Sequence, residues 1–437
     1  MKEIHSTKLI LKKLCAFSIP LILSGLLQQL FNWVDALIVG NIIGEAALAG
    51  VGATSSLYNL FVTAIAGFTS GLSVLFAQHF GEGNHKANTN LLASYSLLLT
   101  FIFLLLSALG MAFTAPVLTL MRTPASLFSY AKNYLLIIFI GIPFLAVYNT
   151  YSAALRGLGN STVPFIAVLL SSVINGIMDY IFIAYFKLGV SGAAAATVIS
   201  QAAMAAFIVL YTVSKHPELR FPLFKAGKYR NDIKKGAKYG LPPAVQGSVS
   251  SVGNLFLQRF MNGFGEHTVS AITAAYRVDS MLLLPIVNFS TAISTLVAQE
   301  TGAENKEAAK KIFKLGTVVM SFMSLILTAV IVLTGRSLLS MFGLKSESVN
   351  IGVSFFRSIA IFYLVYGLSM SIKGYLEGKA DMLFSGTVGV CSLAVRILCS
   401  YLFKDVFGNM VIAYAEAFSW MFLLAVYFFR YRKKSRL

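Results

Sequence analysis

Charge is what this chain has least of. Only 12% of its 437 residues are Asp, Glu, Lys or Arg, against 57% hydrophobic ones, and the mean hydropathy is +0.76. A soluble globule carries about 25% charged residues, so this balance excludes one and requires a polytopic membrane protein. Acid is scarcer still, at 17 residues against 35 Lys and Arg. The three cysteines, Cys15, Cys391 and Cys399, are odd in number and lie in apolar segments without metal-ligand spacing. They read as buried thiols, neither a disulfide framework nor a metal site. No CxxC, HExxH, GxSxG or P-loop pattern occurs, and no nucleophile with a base stands inside an apolar run, so an enzyme is not expected. His5, His79, His85, His216 and His267 fall near segment ends, where solvated positions are expected.

What is present is hydrophobic length. Runs able to cross roughly 30 Å of hydrocarbon at 1.5 Å per residue cover 14–40, 53–80, 92–115, 127–155, 162–186 and 190–213. After a basic, turn-rich segment come 239–262, 270–298, 310–334, 349–376, 382–403 and 409–430. That makes twelve. Pro20, Pro143, Pro164, Pro242, Pro243 and Pro285 lie in or near them, where each removes a backbone donor and can kink its helix. No small-residue cleavage site follows the Lys-rich start, so the first run is expected to stay as an anchor.

Loop charge sets orientation. With the N-terminus inside, the inner segments hold 25 Lys and Arg and the outer ends eight, so both termini are expected on the cytoplasmic side of the cell (inner) membrane. The formal net charge of +18 is then a topology signal and a contact with lipid headgroups. Its dispersal over many segments argues against nucleic acid.

The halves repeat. At an offset of 221 residues, Ala77-Gln78 with Gly81 and Asn84 falls on Ala298-Gln299 with Gly302 and Asn305, and Gly44-Glu45 falls on Gly265-Glu266. Six spans per half make the copies parallel. The expected division is an N-terminal six-helix lobe (1–213), a cytoplasmic linker (214–238) and a C-terminal six-helix lobe (239–437).

One stretch carries the chemistry. In QQLFNWVDALIVG, residues 28–40, Gln28, Asn32 and Asp35 share a helical face, and Asp35 lies in hydrocarbon. A carboxylate there is costly unless paired, solvated or protonated, so it marks either a functional site or a polar seam between helices. Asn175 and Asp179 share a face of the fifth span, and Thr197 lies early in the sixth. Counted from the outer ends, Asp35, Asp179 and Thr197 share a depth, so the four could supply hard oxygens to Na+ or hold a proton between two acids. In the second half the offset puts Arg396 on Asn175 and Ser400 on Asp179, so the acids are lost. A buried Arg396 needs a partner, with Asp279 and Glu416 as candidates.

Taken together, Pro20, QQLFNWVDALIVGNIIGEAALAG, AQHFGEGN, ALRGLGNSTVP, YGLPPAVQGS and AQETGAEN, in this order and spacing, resemble the multidrug and toxic compound extrusion (MATE) family over essentially the whole chain. The resemblance implies an all-α integral membrane fold, with twelve transmembrane helices in two pseudo-symmetric six-helix bundles forming a V. It also implies an antiporter that exports amphipathic organic cations in exchange for H+ or Na+ by alternating access, without a cofactor. Asp35, Asn175, Asp179 and Thr197 match the first-lobe cation site of the DinF-type branch. The NorM-type acid of the seventh span is replaced by the uncharged stripe Gln246, Ser250, Asn254 and Gln258. Gln28, Asn32, Tyr58, Asn59, Phe61, Tyr148, Gln246, Asn254 and Met281 are the expected substrate-cavity residues, because aromatic and Met surfaces accept varied flat cations. A monomer is expected. The alternative is a flippase for a lipid-linked precursor, which would line its cavity with several Arg residues. Once the 25 inner and eight outer Lys and Arg counted at the segment ends are set aside, only Arg259 and Arg396 of the 35 remain for such a lining.

Overall fold

The computed structural model describes residues 6–221 and 230–435. They form an all-helical membrane protein, and each of the twelve apolar runs lies on a long helix. In the first half these are α1 (Thr7–Ile38), α2 (Glu45–Gly81), α3 (His85–Ala112), α4 (Ala125–Gly157), α5 (Thr162–Asp179) and α6 (Gly189–Lys215). In the second they are α7 (Arg230–Met261), α8 (Glu266–Gly302), α9 (Lys306–Ser340), α10 (Ser346–Ala360 continued by Tyr363–Gly378), α11 (Met382–Leu402) and α12 (Val411–Ser435). Ten stretches are apolar enough to cross a membrane by composition alone, and α10 makes an eleventh as a bent pair. The polar stripe of α7 keeps that helix below such a threshold although its 32 residues are long enough. Exposed side chains confirm the solvent: Phe101, Leu104 and Leu105 of α3 and Phe322, Ile326 and Leu333 of α9 all face outward.

The 221-residue repeat is visible in the backbone. Gly44 and Gly265 open α2 and α8 at φ of 118° and 86°, a region where a side chain would be strained. Asn84 and Asn305 then cap α3 and α9 identically, each Oδ1 accepting the N–H three residues on at 3.0 Å.

Packing divides the chain into two compact units, Leu23–Ala244 and Met1–Ile22 with Val245–Leu437. The division runs through α1 and α7 rather than between helices. Ile10 and Leu14 are therefore buried in the core of the second unit with Ile272, Phe289 and Phe355. The start of α7 packs instead in the first unit, where Tyr239 donates to Gln78 Oε1 at 2.7 Å and the Tyr95 hydroxyl to the Ile233 carbonyl at 2.5 Å. Residues 230–238, expected in the linker, are thus already helical; residues 222–229 of that linker, like His5, lie outside the described residues.

This crossing of α2 and α7 needs a missing side chain. A Cβ at Gly71 would stand 2.1 Å from the Tyr239 carbonyl oxygen and 2.8 Å from Gly240 Cα, backbone that cannot step aside. Gly71→Ala is expected to cost about 1–3 kcal/mol, seen as a lowered midpoint of thermal unfolding in detergent. An unchanged midpoint would mean that the helices are not in such contact.

Two expectations are corrected. Cys15 and Cys391 are exposed and Cys399 half-buried, because an apolar thiol on a membrane helix can face lipid as readily as core. His79 is buried and accepts from Lys235 Nζ at 2.9 Å, since α7 covers the end of α2. Pro20, Pro143, Pro242, Pro243 and Pro285 all lie inside continuous helices. A 49° bend falls in α10 between Ala360 and Tyr363, where Thr328 of α9 donates to the freed Ala360 carbonyl at 2.8 Å.

Candidate functional site: a paired-carboxyl pocket in the first unit

The two acids of the first unit come together. Asp35 on α1 and Asp179 at the end of α5 meet at hydrogen-bonding distance through their carboxyl groups. Asp179 is fully buried, Asn175 and Thr197 are buried beside it, and Asp35 is half-buried. With the Asn175 amide turned to suit its neighbours, its nitrogen donates to Asp179 Oδ2 at 2.7 Å and its oxygen accepts the Thr197 backbone N–H at 3.2 Å. The Thr197 hydroxyl donates to the Ala193 carbonyl at 3.1 Å. Apart from the acid–acid contact, Asp35 Oδ1 and Asp179 Oδ1 have no hydrogen-bond partner among the described residues. Such buried acceptors are expensive unless a proton or cation completes them.

Local backbone explains how acids on two helices converge. Three residues past Asp35, α1 gives way to a π-helical turn, Val39–Ile43, and directly after Asp179 α5 gives way to another, Tyr180–Tyr185. The wider turn is sealed by Gly44 N–H to Val39 O at 3.2 Å in the first case and Phe186 N–H to Ile181 O at 2.9 Å in the second. The two π-turns pack against each other. Such turns rotate the residues beside them out of the regular helical register and concentrate at functional sites.

Two neighbours were not singled out from the sequence. Gln201, four residues after Thr197 on α6, donates to the Tyr58 hydroxyl at 2.8 Å. Buried Tyr134 of α4 lies within electrostatic reach of Asp35, Tyr58 and Asp179. The i, i+4 step from Thr197 could have revealed Gln201; a lone Tyr in an apolar run gives no comparable signal for Tyr134.

The expected substrate-cavity residues scatter. Gln28, Asn32 and Asn59 are exposed, and Tyr58 is tied to Gln201. Phe61 stacks edge-on against Phe139 at 5.4 Å. Tyr148 is buried, donating to the Pro164 carbonyl at 3.2 Å, which is a packing role. Gln246, Asn254 and Met281 belong to the second unit. There a cavity of about 380 Å³ is lined by Asn254, Gln258, Tyr276, Asp279, Arg396 and Glu416, among others. Gln246 packs on Gly389, and Met281 is half-buried. Arg396 finds its partner in Glu416, Nη2 to Oε2 at 2.8 Å, and also donates to the Tyr276 hydroxyl at 2.7 Å. Asp279 accepts from the Tyr363 hydroxyl instead.

Comparison with known proteins agrees with this architecture. A family model described as MatE matches the chain twice, over residues 20–181 and 242–402, echoing the internal repeat. The chain is 29% identical over 424 residues to the probable multidrug resistance protein YpnP of Bacillus subtilis (strain 168), covering 97% of this chain and 95% of that one. It is 22% identical over 400 residues to the multidrug export protein MepA of Staphylococcus haemolyticus (strain JCSC1435), covering 91% and 88%. Among solved structures, the crystal structure of MATE in the bent conformation superposes with a TM-score of 0.91 at 21% identity, covering 97% of this chain and 95% of that chain. An outward-facing multidrug resistance MATE family transporter of the MOP superfamily gives 0.88 at 22% identity, with the same coverage. At these identities the structural likeness speaks to the fold.

Proposed function

Because the chain belongs to the MATE family, and so is a multidrug efflux transporter rather than an enzyme, we propose that it exports amphipathic organic cations in exchange for protons. The Asp35–Asp179 pair is the coupling site. The observation that carries this reading is the carboxyl–carboxyl contact itself. Two carboxyl groups can share a hydrogen bond only with a proton between them, and burial among helices makes the doubly ionised pair costly.

Protonation from outside closes the pair, and loss of the proton to the inside separates two like charges. The site thereby biases one opening of the transporter against the other. α1 is suited to transmit the change, since it passes from one compact unit to the other between Ile22 and Leu23, two residues after Pro20. The charge pattern supports a DinF-like arrangement with coupling in the first unit, and the 25-to-8 loop bias supports cytoplasmic termini in the cell membrane. A flippase is disfavoured because Arg396 is committed to Glu416 and Tyr276.

The test uses proteoliposomes. An imposed pH gradient without sodium should drive ethidium accumulation, and an imposed sodium gradient at equal pH should not. The reverse result would replace the proton with Na+ at this site.

A further inference from the structure

Three rings from three helices pack together at one end of the second unit. Phe313 of α9, Tyr375 of α10 and Tyr431 of α12 have centroids 4.8, 5.0 and 5.5 Å apart. Each ring lies one helical turn from a lysine nearer the helix end: Lys310 precedes Phe313 by three residues, Lys379 follows Tyr375 by four, and Lys434 follows Tyr431 by three. The ammonium groups therefore rise from the rim of one aromatic floor. Lys306, in the first turn of α9, extends that rim.

The nearby acids leave this rim positive. Asp381, between α10 and α11, accepts Arg430 Nε at 2.8 Å and Lys434 Nζ at 3.0 Å. Burial alone would raise its pKa, but these hydrogen bonds hold it below the usual carboxylate value. Glu377 is paired with Lys373 at 3.4 Å. Glu304 and Glu307 flank Lys306 but are exposed. Lys379 is half-buried, and the charges acting on it are the ammonium groups of Lys306, Lys310 and Lys434; burial first, then this repulsion, lowers its pKa.

Below the rim the exposed positions turn apolar. Lys310, Lys314, Val318, Leu325 and Val332 follow one face of α9, and all are exposed. A face that runs from clustered ammonium groups to bare hydrocarbon has the profile of a lipid, charged head above and chains beneath. A free phosphate ion would use only its upper part.

We propose that Lys306, Lys310 and Lys379, over the Phe313–Tyr375–Tyr431 floor, hold the phosphate of an anionic membrane lipid whose acyl chains lie along this face of α9. Ammonium–phosphate contacts of this kind are charge-assisted, and their binding relieves the repulsion among the lysines.

The experiment is thermal unfolding of the full chain in detergent, with phosphatidylglycerol, phosphatidylcholine or inorganic phosphate added, beside native mass spectrometry of retained lipid. Phosphatidylglycerol should raise the midpoint by several degrees and remain bound, and the other two should do neither. In Lys306→Gln/Lys310→Gln/Lys379→Gln that shift and the retained lipid should both be lost. Without lipid, this variant should unfold at or above the wild-type midpoint, because like charges have been removed. Exposed Lys310→Gln alone should weaken the shift, which keeps the test open if the triple variant does not express. The proposal is overturned if wild type shows no shift, if the variants keep it, or if phosphatidylcholine or inorganic phosphate reproduces it.

Discussion

Asp35→Asn should abolish coupled efflux while leaving the protein folded. The carboxamide keeps the shape of the side chain and can still donate to Asp179, so the contact between α1 and α5 survives. What it cannot do is lose and regain a proton. Coupling free energies of about 1–3 kcal/mol correspond to roughly 5–150-fold changes in affinity. Cells carrying the variant should accordingly show ethidium efflux near that of cells without the transporter. The sharper readout is equilibrium: drug affinity of the purified protein should depend on pH in wild type and not in Asp35→Asn. Wild-type efflux in the variant would remove Asp35 from coupling altogether.

That Asp35 could be found without a structure follows from the solvent. In hydrocarbon each acid has to be accounted for, so a lone carboxyl in a long apolar run stands out, and the i, i+4 spacing of Asn175 and Asp179 places both on one face. The repeat was legible for a similar reason: Gly44 and Gly265 share a backbone conformation that few residues tolerate, and Asn84 and Asn305 share a cap. Features that depend on which helix meets which were not legible. Hydropathy marks α1 and α7 as apolar or striped, but says nothing of the neighbours that draw Ile10 into one unit and Tyr239 into the other. The π-turn after Asp179, Tyr180–Tyr185, is an ordinary apolar segment with no breaker residue, and Gly40 and Asn41 in the turn after Asp35 mark a break without revealing its type. The bend of α10 has no proline either, because its freed carbonyl is satisfied by Thr328 of another helix, some thirty residues earlier in the chain. In a membrane, outward-facing and inward-facing apolar residues look alike in sequence, which is why Cys15 and Cys391 could be placed in a span but not on a face.

Removing Glu416 should damage the second unit more than removing the whole ion pair. Arg396 occupies the position that the repeat aligns with Asn175, so where the first unit has its paired carboxyls the second has a guanidinium fastened to Glu416 and Tyr276 and lying 5.5 Å from the Tyr276 ring centre. Glu416→Ala leaves that half-buried cation without its counter-charge, at a cost of up to about 3–5 kcal/mol. Replacing both partners with apolar groups of similar volume, Arg396→Met with Glu416→Leu, should be neutral or stabilising by up to about 4 kcal/mol. Thermal unfolding in detergent decides this: the single variant should fall well below wild type and the double variant should not. If the pair is only a fastener, the double variant should also retain pH-driven ethidium transport. Loss of coupled transport in a stable double variant would make the second unit a participant in proton exchange and end the confinement of coupling to Asp35 and Asp179.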